Sequence, residues 1–245
     1  DSNSRISLSN NDSGADNTVF GFLAGASLGS GHDRNVLIGD YAGTNVAADS
    51  NVLIGRACGD GITSGASNVA IGDSALGTAD TALQNIVIGG DAMSAIPTSQ
   101  AVDGCVAIGV NALKGAAGTT TGIDGTVAIG QSALTALTAG AGNVAVGYTA
   151  LDELTTGGYN TAIGYGALHQ IDGGEDYNTA VGYLSGDNVD GGGHNTLIGA
   201  STDISTAAGD NQTVIGSGTT GQANNSVTLG NASVTDVYMA MNVGA

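Results

Sequence analysis

The chain has 245 residues, of which 43 are glycine, and it carries a net charge of −18. Its four basic residues are scattered along the sequence, which excludes nucleic acid and anionic membrane surfaces as partners. No apolar stretch approaches the roughly 18 residues that a membrane span needs, so we expect no membrane insertion. Hydrophobic residues make up 41% of the chain but only 4% of it is aromatic, which favours thin stacked layers over a conventional globular core.

A five-residue block ending in glycine returns about every 17 residues, a period typical of solenoid proteins. The block reads Asn, then Val or Thr, then a small or aliphatic residue, then Ile, Val, Phe or Leu, then Gly. So short a period leaves room for one coil of chain per repeat. We therefore predict an all-β fold, a parallel β-solenoid of about thirteen coils. The blocks end at Gly21, Gly39, Gly55, Gly72, Gly89, Gly109, Gly130, Gly147, Gly164, Gly182, Gly199, Gly216 and Gly230.

Each block predicts a strand with two apolar faces. In one copy, Thr161 and Ile163 point to one face and Ala162 points to the other. Apolar residues on both faces indicate a strand that is buried on both sides. One face fills the inside of the coil, and a single chain provides nothing to cover the other. We therefore predict a side-by-side homotrimer, with the small middle residue close to its symmetry axis.

The block's two ends have predicted roles of their own. Its glycine marks a sharp corner, followed by a second strand or extended corner with an inward Leu, as in Ala75-Leu76. Its first residue is Asn in nine copies, and stacked amides predict a hydrogen-bonded ladder that is structural and not catalytic. The ladder asparagines are Asn17, Asn35, Asn51, Asn68, Asn85, Asn143, Asn160, Asn178 and Asn195.

Two long intervals and the chain ends complete the predicted organisation. The surplus residues map to Ala95–Asp103, which contains the only proline, Pro97, and to Gly115–Asp124. Insertions in a solenoid form surface loops, which are either neutral bulges or part of a binding side. We divide the chain into an N-terminal capping segment (1–16), a repeat domain (17–230) and a C-terminal cap or transition to another module (231–245). Because it begins at Asp1, we expect a processed product or a fragment.

Three features suggest chemistry, and for each we predict a structural role. Cys58 and Cys105 lie at different corners three coils apart, so we expect free buried thiols and no disulfide. Ser74 lies in a block similar to an esterase motif but is one variant of a repeated position, so we predict no catalytic residue and no enzyme. Gly173–Asp176 and Asp187–His194 are similar to calcium-binding turns, yet calcium takes six to eight oxygens. We expect solvated turns, no metal site and no cofactor beyond weakly bound divalent cations.

Five of the seven tyrosines lie between residues 148 and 183, at two recurring positions. Three follow the block glycine and two precede the block asparagine, so they are expected to stack in rows. The rows either stiffen the solenoid or form an aromatic stripe that lies against sugar rings. The candidate binding surface is Pro97, Tyr148, Tyr159, Tyr165, Tyr177 and Tyr183.

The Asn-x-Ala-Ile-Gly block followed by Ala-Leu resembles the head repeats of trimeric autotransporter adhesins (the YadA-like head). It is equally similar to repeats in the fibres of bacteriophages and other viruses, and the resemblance covers about residues 17–230. This resemblance implies a left-handed parallel β-roll, three chains side by side and a role in surface attachment. We expect an extracellular fibre or head, on a virion tail fibre rather than a bacterial cell surface, that binds a cell-surface glycan or protein receptor.

Four alternatives remain open at this point. They are a bacterial surface adhesin head, a self-assembling structural filament or spacer, a polysaccharide-degrading solenoid, and an ice-binding solenoid. A polysaccharide-degrading solenoid needs paired carboxylates in a groove, and the scarcity of basic residues argues against acidic substrates. An ice-binding solenoid needs a flat exposed array. Its candidate threonines align over four coils but at a position that we assign to burial, namely Thr161, Thr179, Thr196 and Thr213.

Overall fold

The computed structural model of the protein describes residues 16–97, 101–115 and 120–237. These residues contain thirteen short strands and no helix. The strands form one sheet in which each pairs in parallel with the next. The prediction of an all-β parallel β-solenoid is confirmed. The strands are β1 (Thr18–Phe20), β2 (Val36–Ile38), β3 (Val52–Ile54), β4 (Val69–Ile71), β5 (Ile86–Ile88), β6 (Val106–Ile108), β7 (Val127–Ile129), β8 (Val144–Val146), β9 (Thr161–Ile163), β10 (Thr179–Val181), β11 (Thr196–Ile198), β12 (Gln212–Ile215) and β13 (Ser226–Leu229).

Neighbouring coils stack in strict register, so that equal block positions lie side by side. Val52 pairs with Val36 on one side and with Val69 on the other. The backbone bonds continue past the strands, because the N–H of Gly55 donates to the carbonyl of Ile38 at 2.8 Å. Each coil therefore contacts the coils before and after it, as in other repeat arrays.

The middle residue of each strand points into the coil. Leu37, Leu53 and Ala162 have no exposed surface, whereas Thr161 and Ile163 on either side of Ala162 face outward. The prediction that the small middle residue approaches a symmetry axis is therefore wrong. Thr161 and the other three aligned threonines do not lie in the coil interior. The second block position is on the outward face, where these side chains are partly exposed in the single chain.

The size of the middle residue is set instead by the residue across the coil interior. Where the middle residue is Ala70, the fourth residue after the block glycine is Leu76, and both are fully buried. Where the middle residue is Leu53, the equivalent position is Gly59, and a Cβ there would lie 2.7 Å from Leu53 Cδ1. In these two coils the interior thus holds one large side chain and one small one, because close-packed cores leave no room for two large ones.

The block glycines from Gly21 to Gly199 stand where two corners touch backbone to backbone. Gly147 has φ +147, and a Cβ on it would lie 2.1 Å from the carbonyl oxygen of Gly164 in the next coil. A Cβ on Gly72 would meet the carbonyl oxygen of Gly89 at 2.5 Å. No side chain fits in that space, and L residues avoid that backbone conformation, so only glycine suits the corner.

The segment after the block glycine is a turn and not a second strand. Ser74 and Leu76 both have positive φ, 55° and 54°, which curls the chain too tightly for a strand. Coil-to-coil bonds persist there, since Leu76 N–H donates to the Ala92 carbonyl at 2.9 Å. The predicted inward direction of the leucine is confirmed, because Leu76 is fully buried.

The two cysteines are free and buried, as predicted. Burial raises the pKa of the Cys58 thiol to about 12 and that of Cys105 to about 11, so neither thiol ionises readily in the folded chain. Residues 1–15 and 238–245, and the parts 98–100 and 116–119 of the two long loops, lie outside the described residues. Residues 231–237 are exposed and form no strand.

Candidate functional site

The ladder asparagines are joined by hydrogen bonds at one buried corner of the solenoid. The Oδ1 atom of Asn51 accepts the backbone N–H of Asn68 at 3.0 Å, and the Nδ2 group of Asn68 donates to the Ala82 carbonyl at 2.7 Å. The side chains thereby satisfy backbone groups that would otherwise be buried without partners, which is a structural role. The bonds form two runs, one from Asn17 to Cys105 and one from Asn143 to Gln212.

Between the two runs, Cys105 and Thr126 occupy the block position that holds an asparagine in most other coils. The Cys105 thiol contacts the Ile123 carbonyl at 3.2 Å, and the next coil has Thr126, whose buried hydroxyl has no hydrogen-bond partner. The ladder is thus interrupted beside the two long loops.

The outward second and fourth residues of the thirteen blocks, which flank the middle block residue, form one long surface, which we call the strand face. These residues are mostly Val and Ile, and none of them carries a charge. They are half-exposed in the single chain, with Ile86 at 43% of its free surface. An uncharged aliphatic strip along a whole solenoid is typical of a surface that another molecule covers. Toward the C-terminal end, Thr161, Thr179, Thr196 and Thr213 replace Val at the second position, directly in register.

The tyrosines form two rows, one on each side of the strand face. Tyr148, Tyr165 and Tyr183 stack with ring centroids 5.1 and 5.4 Å apart, and Tyr159 stacks on Tyr177 at 5.3 Å. Near-parallel stacking covers the inner ring faces, so the rows present ring edges to solvent except at their ends. An extended stripe of open faces for sugar rings is therefore absent from these rows.

A histidine that the sequence analysis did not assign continues the second row. The His194 ring stacks on Tyr177 with centroids 5.2 Å apart. The signal was present in the sequence, because His194 precedes Asn195 just as Tyr177 precedes Asn178.

An open pocket of about 380 Å³ lies at the end of this second row. Three successive turns build it, one before each of the strands β10, β11 and β12. The Nδ1 atom of His194 lies 3.6 Å from an oxygen of Asp210 at its rim. The lining residues are Gly174, Glu175, Asp176, Gly191, Gly193, His194 and Asp210.

The two turns that resemble calcium-binding segments meet beside this pocket. Carboxylate oxygens of Asp172, Glu175 and Asp190 lie within 4.8 Å of one another. Glu175 is largely buried, and its carboxylate accepts the N–H of Gly173 at 3.0 Å. One oxygen from each carboxylate gives three ligand atoms, fewer than the six to eight that calcium takes, so the cluster offers an incomplete ligand set.

A separate cluster surrounds His169. Its Nδ1 atom is hydrogen-bonded to Asp152, and its Nε2 atom lies 3.8 Å from Glu153. The hydrogen bond to Asp152 raises the pKa of His169, and the negative charges of Glu153 and Asp187 act in the same direction.

The remaining sequence candidates lie apart from these features. Pro97 is half-buried at the edge of the first described segment, and the rest of its loop is only partly described. The hydroxyl of Ser74 donates to the carboxylate of its neighbour Asp73 at 3.0 Å.

Comparison of the chain with family models, with curated proteins and with solved structures gives no match. The resemblance to adhesin heads and viral fibres therefore depends on the repeat residues alone. The structure supports its coarser part, a parallel β-solenoid of about twelve turns. Among the described residues, no helix is long and apolar enough to cross a membrane.

Proposed function

We propose that the chain is one of three in a side-by-side trimer that serves as a non-catalytic attachment fibre or head. Its location is extracellular, on a virion surface in preference to a bacterial cell surface, and its receptor is a cell-surface glycan or protein. The observation that carries the proposal is the strand face, an uncharged aliphatic surface that runs along all thirteen strands and is half-exposed in the single chain.

The charge distribution supports association through this face. The net charge of −18 is carried by residues outside the second and fourth block positions, so covering the strand face buries no charged side chain of that face. Three copies meeting at one axis would cover the face completely, as the resemblance to trimeric heads implies. Because association also brings three acidic chains together, salt should strengthen the trimer by screening their repulsion.

The shape of the solenoid supports attachment. Thirteen strands stacked at a spacing of roughly 4.8 Å give an elongated element about 60 Å long. Three parallel chains would display every surface feature three times, which raises the avidity of weak sites. The acidic charge disfavours nucleic acid and anionic membranes as partners.

The oligomeric state tests the first half of the proposal. Native mass spectrometry and sedimentation should give a trimer at micromolar concentration. Ile71→Glu combined with Ile129→Glu should release monomers, because each substitution puts a charge on the covered face. The control is Val237→Glu, an exposed aliphatic position outside the strands, which should leave the trimer intact. A stable monomer of the unmodified chain would refute the trimer.

Binding to cells tests the second half. The purified trimer should bind candidate host cells or a glycan array, and immobilised trimer should bind more tightly than an engineered monomer. Absence of binding to any cell or glycan would favour the spacer or filament alternative. End-to-end polymers in electron micrographs would support the filament in particular.

One observation favours a second candidate function, ice binding. The four in-register threonines lie on the outward strand face, where a flat array would meet an ice surface. A thermal-hysteresis assay decides this point, with Thr179→Lys as the variant that should abolish any activity. Activity of the unmodified chain that this substitution removes would establish the second candidate and contradict a covered strand face.

A further inference from the structure

Two rows of residues border the strand face along the whole solenoid. The start row consists of the residue before each block, such as Tyr159, and the end row consists of the residue after each block glycine, such as Tyr165. Both rows continue the outward alternation of the strand, and nearly all of their residues are exposed in the single chain. The rows are therefore the two edges of the surface that the proposed trimer covers.

The two rows avoid charge although the chain is strongly acidic. In the nine coils from β5 to β13, neither row contains Asp, Glu, Lys or Arg. Acidic residues return one position further out, at Asp103, Asp124, Asp176 and Asp210. In a chain with a net charge of −18, so sharp a boundary indicates that the rows are covered together with the strand face.

Where the rows do carry charge, opposite signs stand at the same level. Beside β2, the start row has Arg34 and the end row has Asp40. These positions are six residues apart, roughly 20 Å of extended chain, so their side chains do not meet within one copy. Among the described residues, the Asp40 carboxylate forms no ion pair, and the Arg34 side chain is 61% exposed beside Asp49. The single chain thus leaves a matched pair of charges apart, one on each edge.

Residue sizes in the two rows are complementary as well. Beside β11, for example, His194 of the start row stands level with the small residue Ala200 of the end row. Beside β5 to β8, each coil has a glycine in one row and a larger residue in the other, namely Gln84 with Gly90, Gly104 with Val110, Gly125 with Gln131, and Gly142 with Tyr148. Interlocking surfaces need this alternation of large and small residues, because well-packed interfaces match the density of protein interiors.

A rotation axis parallel to the solenoid brings the two rows together between copies. Such a rotation keeps every coil at its own level and places the start row of one copy beside the end row of the next, so that the contacts close into a ring. In an antiparallel pair, Arg34 would instead lie level with coils near the other end of the solenoid, where the rows have no acidic residue. The match of Arg34 with Asp40 therefore favours parallel copies in register.

We propose that the start row of one copy packs against the end row of the next, coil for coil, and that these seams join the three chains. Each seam pairs Arg34 with Asp40 of the next copy. Further along the seam the two tyrosine rows meet, which adds aromatic contacts to the buried area. The tyrosines then belong to the contact between copies and not to a receptor site. The inference rests on the proposed trimer, and it specifies the contacting residues and the orientation of the copies.

Disulfide trapping in the full chain tests the seam. After mild oxidation, the double variant Arg34→Cys with Asp40→Cys should run as a covalent trimer on a non-reducing gel, because each seam brings the two new cysteines together. A disulfide needs Cα atoms within about 7 Å, so these positions are too far apart to bridge within one copy. The native Cys58 and Cys105 are buried and do not interfere.

Two control variants establish the register. Arg34→Cys alone should give no covalent trimer, because the start rows of different copies do not meet. The double variant Arg34→Cys with Ser217→Cys moves the second cysteine ten coils along the end row, roughly 48 Å away, and should also give none.

Exchanging the charges tests the pair by its effect on assembly. Arg34→Asp should raise the concentration at which the trimer half dissociates roughly tenfold, because it places like charges together in three seams. Adding Asp40→Arg should restore assembly. The matched control adds Asp49→Arg instead, which restores an ion pair within the chain and should leave the trimer as weak as the single variant.

The results separate the seam from the trimer. A trimer in native mass spectrometry that gives no covalent trimer with the matched cysteines would overturn the seam and leave the trimer standing. Crosslinking of the mismatched cysteines, or rescue by Asp49→Arg in place of Asp40→Arg, would do the same. A monomeric unmodified chain would remove the trimer and the seam together.

Discussion

Exchanging the large and small residues across one coil interior should be far less damaging than changing either alone. Leu53 fills its coil opposite Gly59, whereas the next coil has Ala70 opposite Leu76. The double variant Leu53→Ala with Gly59→Leu copies the second arrangement into the first coil. The backbone at position 59 already has the conformation that a leucine adopts at the equivalent position of the next coil, because Gly59 has φ +59 and Leu76 has φ +54.

The structure sets the size of the effect. Leu53→Ala opens a cavity in a fully buried site and should cost about 3 kcal/mol. Gly59→Leu places its Cβ 2.7 Å from Leu53 Cδ1 and takes a left-handed conformation, together about 3 kcal/mol. The double variant should cost about 2 kcal/mol, because Leu53 also fills space beside Gly43 that a side chain at position 59 does not reach. The coupling free energy is therefore about 4 kcal/mol.

Urea unfolding followed by far-ultraviolet circular dichroism measures the four free energies of this cycle. All variants are compared at one protein concentration, because the proposed association would contribute to stability. The control cycle combines Leu53→Ala with Gly186→Leu, which faces Leu168 and Leu197 in distant coils, and its costs should add. If the Leu53–Gly59 cycle is also additive, complementary volume does not determine the middle residue.

Three further outcomes are expected. Gly147→Ala should destabilise the protein by at least about 3 kcal/mol, because its Cβ would overlap the Gly164 carbonyl oxygen, and an unchanged melting temperature would contradict the corner geometry. Thr126→Asn should stabilise it by about 1 kcal/mol in urea unfolding, because an amide oxygen there can accept the backbone N–H of Asn143 and extends the second ladder run by one coil, and a loss of stability would show that the interruption is required. Because Asp152 raises the folded pKa of His169 above 6.5, the stabilisation is complete below pH 6.5 and is lost as the pH rises through the folded value. This contribution to the melting temperature should therefore be lost as the pH rises above 6.5 in the unmodified protein but not in His169→Asn.

The repeat made much of the fold predictable from sequence. A single block such as Asn160–Gly164 carries the ladder residue, the strand and the corner, and thirteen copies fix the parallel stacking. The inward direction of Leu76 was predictable because apolar residues recur at that position. Each of these features depends on local chemistry repeated in register.

The sequence did not predict which face of each strand points into the coil. The outward position of Thr161 and the inward position of Ala162 look alike in a strand with two apolar faces, so the sequence could not decide which face was the interior. The inward face is identified by the complementary sizes of Ala70 and Leu76. These two residues meet only because the turn after the strand folds back across the coil.

The pocket that is lined in part by Glu175, His194 and Asp210 was missed for a related reason. Glu175, His194 and Asp210 are separated by one coil each in the sequence and meet only through stacking. The stacked geometry of Tyr177 and His194 also depends on the spacing of neighbouring coils. The one signal in the sequence was that His194 precedes its block asparagine, just as Tyr177 does in the coil before.

The strands keep a strict register along the whole solenoid, whereas the loops between them differ in length. The intervals before β6 and β7 are longer than the others, yet Ile88 still pairs with Ile108 and Ile108 with Ile129. Extra residues are thus absorbed outside the strands, whereas one residue inserted into a strand would turn its side chains to the opposite faces. Loop sequences are consequently free to diversify, while the solenoid changes length only by whole coils, in steps of about 4.8 Å.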